Sequence, residues 1–475
     1  MIDMQTDNHF LDLFFYPSSI AVVGASKNPF SLNFNLLSNL VRLGYPGRIY
    51  PVNPNADEIL GLKAYPNLNE INDEVDLVIT AVPAVKTLDV IKDCVQKKVK
   101  GVVLVSGGFS EIGVQGMRQQ DEIAQLLKKG GIRAIGPNTL SPINYAHNMV
   151  ISFYPVEKVK GGTTSFIFQS GMYDLRLSWL FDDFRLGISK IIDLGNKMDI
   201  NEVDALEYLA GDESTKVICI HLETIKGDGK KFVRFLRDVP KKKPVVVLKT
   251  GRTEAGVKAA ASHTGSIVRG SDTVFDSVLK QTGISRAQNL DEFFDFAKAF
   301  EFLNPPRGNK CVIASISGGE GVLAADICQQ EGFAIINPAQ ETVTQLKRIF
   351  PPWEIPVNPL DIGVSMQFHQ FGEPFAVFVE AMSNDASVDC LVVQLPNIKY
   401  LFPDLSLFPV EEFCKPFWQA KEKGKVVVTW AVSANKSDDP LAECLESHRI
   451  PVYPSVSRAV KALAAVYRYK TIHLT

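Results

Sequence analysis

His263 lies in Ser262-His263-Thr264-Gly265-Ser266, an imidazole between two hydroxyl side chains and beside a glycine, in a stretch expected to be a loop leading into a helix. Hydroxyls and the backbone N–H groups of a helix start bind phosphate oxygens. An imidazole with a pKa near ~6.5 is largely neutral at pH 7, and its free lone pair can attack phosphorus. His263 is therefore a candidate phosphate acceptor; the plainer alternative is a surface or capping histidine. Such a ring is served by a carboxylate that accepts a hydrogen bond from the N–H of its other nitrogen and fixes the tautomer. Glu223, at the end of the apolar run from Val217 to Leu222, is the candidate, and a solvated strand-end carboxylate is the alternative. His221, two residues earlier on the same strand face, is a rival, though its place inside the apolar run favours core packing. Lys197, Lys249 and Arg252 are secondary candidates for contact with phosphate or carboxylate.

A second set of residues shares one position in its elements. Gly24-Ala25-Ser26-Lys27, Asn53-Pro54, Val82-Pro83, Ser106-Gly107-Gly108 with Glu111, and Asn138 each follow one of five successive apolar runs. In an open parallel sheet, ligands bind outside the carboxyl ends of the strands, so these loops describe one binding edge. Tight turns without a ligand are the alternative. The spacing after Gly24 is not the G-x-G-x-x-G of a dinucleotide fingerprint, which counts against a nicotinamide-dependent oxidoreductase. Two further turns, Ser170-Gly171 and Ser317-Gly318-Gly319, open stretches with helical spacing and offer N-terminal backbone donors, with ordinary N-capping as the alternative. No P-loop, zinc-ligand spacing or Gly-x-Ser-x-Gly elbow is present, and no metal site is expected.

The elements that must hold these residues follow a βαβ rhythm, short β-branched runs alternating with longer helical stretches, which predicts an α/β fold with parallel sheets. The first series of strands is Ile20 to Val23, Arg48 to Val52, Leu77 to Val82, Gly101 to Val105 and Arg133 to Ile135. A second comprises Thr164 to Phe168, Ser189 to Asp193, Val217 to Leu222 and Pro244 to Lys249. The third comprises Lys310 to Ser315, Val388 to Gln394, Lys425 to Trp430 and Pro451 to Tyr453, closed by a helix over Ser455 to Tyr469. Linkers are expected around Val156 to Gly162 and Asn304 to Asn309.

Composition sets the outer limits. The 475 residues are 46% hydrophobic and 22% charged, the balance of folded globular chains. A net charge of −3 excludes broad attraction to nucleic acid or anionic membrane, so an anionic ligand must be bound locally. Seven cysteines without a C-x-x-C pair argue for a reducing, cytoplasmic setting.

Taken together, the chain from about Phe14 to Tyr469 resembles the α subunit of the NDP-forming acyl-CoA synthetases, the superfamily that includes succinyl-CoA synthetase and the archaeal ADP-forming acetyl-CoA synthetases. The resemblance rests on Ser262 to Ser266, Gly251 to Gly256, Leu194-Gly195-Asn196-Lys197 and Asn358-Pro359-Leu360-Asp361. It implies an N-terminal CoA-binding Rossmann-like domain (1–155), a flavodoxin-like ligase-CoA domain with the phosphohistidine loop (156–304) and a second ligase-CoA-like domain (305–475). It implies CoA at the five-loop edge, transient phosphorylation of His263, support from Glu223, and helices starting at Ser170-Gly171 and Ser317-Gly318-Gly319 that point at the phosphate. By the same resemblance, phosphate attacks an acyl-CoA to give an acyl phosphate, the phosphoryl group moves to His263, and ADP receives it, leaving an organic acid, CoA and ATP. ADP, ATP and Mg²⁺ would sit on a separate ATP-grasp β subunit, in an α2β2 assembly. A CoA-binding regulatory or scaffold homologue without turnover is the alternative. The chain departs from the family pattern at Thr139, Met172-Tyr173, Asp193 and Glu320. An added carboxylate near a phosphate site repels the anion unless a cation or metal pairs with it.

Overall fold

Short runs of Val, Ile and Leu buried on both faces become parallel strands, since a sheet covered by helices on both sides has no solvent face with which to alternate. The computed structural model describes residues 9–156, 161–176, 184–264, 272–402, 404–431 and 439–474. Its first sheet holds β1 (Ser19–Val23), β2 (Arg48–Val52), β3 (Leu77–Thr80), β4 (Gly101–Leu104) and β5 (Arg133–Ile135), in the order β2-β1-β3-β4-β5. Every pair in it is parallel. Helices α1 (Leu32–Leu43), α2 (Ala84–Lys97) and α3 (Val114–Gly130) make the crossovers after β1, β3 and β4. The winding direction reverses beside β1, which puts the ligand crevice of such a sheet between the loops after β1 and β3.

The second sheet contains β6 (Ile143–Asn144), β7 (Met149–Val150), β8 (Gly161–Phe168), β9 (Ile188–Asp193), β10 (Val217–Leu222), β11 (Val245–Lys249) and β12 (Ser285–Ala287), ordered β12-β11-β10-β8-β9-β6-β7. It carries α4 (Glu202–Gly211), α5 (Gly229–Asp238), α6 (Glu254–Thr264) and α7 (Asp272–Gln281). The start of α4 is set by a capping box: Val203 N–H donates to Asn201 Oδ1 at 2.9 Å and Asn201 N–H to Asp204 Oδ2 at 3.1 Å.

Two compact units result, one running to Gln288 and the other holding the chain from Asn289 together with residues 184–185. The first two sheets share the first unit because they share a core. Ile20, Val22, Leu77 and Ile79 from one face of the first sheet pack in the same cluster as Ile192, Ile200, Ile218 and Ile220. The opposite face, with Ala21, Val78 and Val102, packs on Ile91 of α2 and Ile123 of α3.

The second unit contains α8 (Leu290–Phe302), β13 (Lys310–Ser315), α9 (Gly318–Gln330), β14 (Ala334–Ile335), β15 (Leu360–Asp361), β16 (Cys390–Gln394), β17 (Val426–Trp430), β18 (Val452–Tyr453) and α10 (Val456–His473). The strand order is β14-β13-β16-β17-β18, with β15 also paired to β13. Ser455 caps the closing helix, accepting from Arg458 N–H at 3.4 Å, and Ala459, Val460, Leu463, Ala464 and Val466 are buried along it. Among the described residues no helix is long and apolar enough to cross a membrane.

Candidate functional site

The structure gathers the five expected loops at the carboxyl edge of the first sheet by hydrogen bonds from side chains and backbone. Gly24 leaves β1 at φ +87°, and a Cβ there would lie 3.1 Å from the Ala81 carbonyl, so glycine alone lets the loops after β1 and β3 approach this closely. Asn53 Nδ2 donates to Ala25 O at 2.8 Å, Ser106 Oγ to Val82 O at 2.6 Å, and Asn138 N–H to Ser106 O at 3.0 Å. Gly108 N–H donates to Glu111 Oε1 at 2.5 Å. Asn33, which sequence reasoning missed, donates to Ala81 O at 2.9 Å and locks α1 to the loop after β3. The edge thus presents the starts of α1 and α2, whose first N–H groups favour an anion.

Glu223 directly follows β10 and is 8% exposed. Its N–H and that of Thr224 both donate to Gln169 Oε1 at 2.9 Å, and Gln169 Nε2 donates to Thr224 Oγ1 at 2.8 Å. Gln169 follows β8, so one amide side chain stitches two adjacent strand ends. It stands beside Ser170-Gly171 in the sequence, yet a glutamine gives no sign of its partner until the strands are placed. Lys249, at the end of β11, donates to Glu223 O at 2.7 Å and to Thr250 O. Burial pulls its ammonium below the usual lysine range, with Asp272 and Glu223 opposing. Arg252 is taken up by Asp272 Oδ2 at 3.2 Å and Gln288 Oε1 at 2.7 Å. A cavity of about 240 Å³ opens beside Glu223 and Lys249, walled by Phe232, Leu236, Phe275 and Val278. His221 is buried in β10, its Nε2 3.2 Å from Thr250 Oγ1, and burial with Lys249 and Lys197 nearby lowers it to about 3. It is a neutral core histidine.

Lys197 differs from expectation. It is 2% exposed, and its Nζ donates to Glu202 Oε2 at 2.8 Å and Thr224 O at 2.6 Å. A lysine committed to a buried carboxylate and a carbonyl is not placed to receive an entering anion. Asp193, the carboxylate at the end of β9 singled out in the sequence analysis, is likewise turned inward: Oδ2 accepts from Leu140 N–H at 3.1 Å and Oδ1 from Gly195 N–H at 3.2 Å. Thr139, singled out with it, donates to the Asp193 carbonyl at 2.6 Å, as does Ser141 at 3.0 Å. These residues build one buried junction between the loops after β5 and β9.

The histidine segment is helical where a loop was expected. The backbone of Glu254–Thr264 forms α6, so His263 sits in the last turn of a helix, and this helix lies against the turn Ser110–Ile112 of the first sheet's edge. The side chain of His263 and residues 265–271 lie outside the described residues. Ser170-Gly171 opens a short 3₁₀ helix, Gly171–Arg176, rather than a full α-helix. Ser317 caps α9 as expected, its Oγ accepting from Glu320 N–H at 3.4 Å, and Gly318 and Gly319 form the first turn.

Against known proteins, residues 18–143 match the family described as a CoA binding domain, and residues 161–300 the succinyl-CoA ligase like flavodoxin domain. The chain is 36% identical to acetate–CoA ligase [ADP-forming] II of Archaeoglobus fulgidus, a match covering 96% of this chain and 66% of that protein. It is 34% identical to the alpha subunit of acetate–CoA ligase [ADP-forming] I of Pyrococcus furiosus, covering 97% of both. Among solved structures, the dinucleotide-forming acetyl-coenzyme A synthetase 1 of Ca. Korarchaeum cryptofilum, in complex with phosphate and ADP, superposes with a TM-score of 0.85 at 32% identity, covering 98% of this chain and 97% of that one.

Proposed function

The chain belongs to the ADP-forming acetate–CoA ligase family, and from that premise we propose that it is the part of an acid–CoA ligase that binds CoA and carries the phosphoryl group on His263. The reading takes the three parts of the chain as 1–155, 156–304 and 305–475. CoA is assigned to the first, at Gly24 to Lys27, Asn53-Pro54, Val82-Pro83, Ser106 to Gly108 with Glu111, and Asn138. Phosphate is assigned to the neighbourhood of Ser170-Gly171 and Ser317 to Gly319, and Glu223 to the support of the histidine.

One observation carries this reading: within a single compact unit, the helix bearing His263 lies against the Ser110–Ile112 turn of the edge assigned to CoA. The acyl carbon leaving CoA and the phosphoryl acceptor must come close for an acyl phosphate to pass from one to the other, and pre-paid proximity of this kind lowers the barrier by several kcal/mol. Support for the second half of the reaction comes from the relatives: one is named a subunit alpha, and one solved structure holds ADP and phosphate. We assign the nucleotide and Mg²⁺ to an ATP-grasp β subunit in an α2β2 assembly in the cytoplasm, and a small organic acid to the substrate.

The test is direct. With acyl-CoA, labelled phosphate and Mg²⁺, the wild-type chain should take up acid-labile label and His263→Ala should take up none. No label on the wild type, with CoA still bound, would favour the homologue without turnover; equal label on both would remove His263 from the mechanism.

A further inference from the structure

The motif Leu194-Gly195-Asn196-Lys197 follows β9 directly, and its backbone is clamped to the loop after β5: Asn196 N–H donates to Pro137 O at 2.9 Å and Met198 N–H to Gly136 O at 3.0 Å. Gly195 has φ +53°, and a Cβ there would lie 2.3 Å from Pro137 O. Lys197 has φ +54°, a left-handed backbone that costs a non-glycine residue roughly 1 kcal/mol or more and persists only where the surroundings enforce it. The result is that neighbouring side chains reach different loops. Asn196 Nδ2 donates to Glu111 Oε2 at 2.6 Å and to Gln120 Oε1 at 3.3 Å, whereas Lys197 Nζ reaches Glu202 and the carbonyl of Thr224.

We propose that Asn196 and Lys197 together form a positioning element that fixes Glu223 relative to the loop Ser106–Glu111. At one end, the carboxylate that Asn196 holds also accepts from Gly108 N–H and so shapes that loop's backbone. At the other end, Thr224 follows Glu223 directly, and both N–H groups share the Gln169 oxygen, so whatever holds the Thr224 carbonyl holds Glu223. Glu202 completes the brace by accepting from Lys226 and Gly227 N–H at 2.8 and 2.7 Å. The proposal rests on the reading that the loop contacts CoA and that Glu223 serves His263.

Hydrogen exchange on the full chain, with and without CoA, tests it. In the wild type, CoA should slow exchange over 106–111 and also over 223–227. Asn196→Ala should keep the first response, lose the second, and take up phosphate label on His263 about 10- to 100-fold more slowly, the scale of an ångström-sized misplacement. Lys197→Met/Glu202→Gln, which removes both charges and keeps an acceptor for Lys226 and Gly227, should lose the 223–227 response while its CoA affinity stays within about twofold; this split separates positioning from a general loss of stability. Protection of 106–111 alone in the wild type, or both responses surviving in Asn196→Ala, would overturn the proposal and leave CoA binding intact. No protection of 106–111 in the wild type would overturn the CoA assignment and the proposal with it.

Discussion

Glu202 and Asp193 are each 0% exposed, at the start of α4 and the end of β9, and they end in opposite states. Burial pushes both carboxyls up. At Glu202 this is outweighed by the Lys197 ammonium and by N–H donors from Gly227 and its own backbone, so the group is held below the usual carboxylate range. Asp193 has backbone N–H donors from Gly195 and Leu140 but no cation paired with it among the described residues, with Asp174 adding repulsion, and it is pushed up to about 7. Two well-made hydrogen bonds do not replace a counter-ion when solvent is excluded. One loop therefore carries a fixed ion pair and the other a carboxyl that changes charge near neutrality.

The largest test removes the cation. Lys197→Met leaves Glu202 buried and unpaired, and should cost about 3–5 kcal/mol of unfolding free energy, read from urea denaturation. Lys197→Met/Glu202→Gln should recover more than half of that, because the desolvated charge is gone. Equal losses in the single and double variants would mean that packing of the lysine stem, not charge, sets the stability of this loop.

Asp193 offers the second test, with a pH signature. Its folded-state pKa lies above that of the unfolded chain, so the folded state holds a proton that the unfolded state releases between about pH 4 and pH 7. Stability from this group is present below the unfolded pKa and is lost as pH rises through the folded value. Asp193→Ser, which removes the carboxyl and keeps a small polar side chain, should gain a few kcal/mol over wild type at pH 8 and little at pH 4, at about 1.4 kcal/mol per pKa unit. Asp174, pushed by burial to about 6, remains in the variant and keeps part of the slope. An identical pH dependence in wild type and variant would place the titration elsewhere.

What is legible in the sequence depends on whether the signal is local. β10 and β13 coincide with the apolar runs Val217 to Leu222 and Lys310 to Ser315, because a doubly covered strand announces itself by unbroken burial. β6, β7 and β14, two residues each, carry no period to detect. The gathering of the five loops at one edge is readable since each loop follows a strand, which topology converts into proximity. Gln169, Asn196 and Gln120 are not, since an amide side chain is informative only once its partner is known. Lys197 reads as an anion contact because its sequence neighbours show only a cation beside Gly-Asn, whereas its partner Glu202 is buried by tertiary packing. The Asn201 to Asp204 cap is the available clue, fixing α4 so that Glu202 occupies its first turn.

The smallest test keeps the ion pair and changes only the solvent. Lys258 Nζ lies 2.8 Å from Glu254 Oε1 on α6, the same separation as Lys197 from Glu202, but with side chains 76% and 86% exposed rather than 1% and 0%. At this i,i+4 spacing, with the glutamate nearer the helix start, the pair should stabilise α6 by about 0.3–0.5 kcal/mol. Lys258→Met should therefore move the urea midpoint barely beyond error at low salt, and not at all at about 1 M salt, where the screening length falls to roughly 3 Å. A loss above about 1 kcal/mol would mean that Lys258 makes a contact beyond Glu254. With distance held equal, what separates the two lysines is whether water can take over when the partner is removed: at Glu254 it can, and at Glu202 no other cation among the described residues is bonded to the oxygen that Lys197 holds.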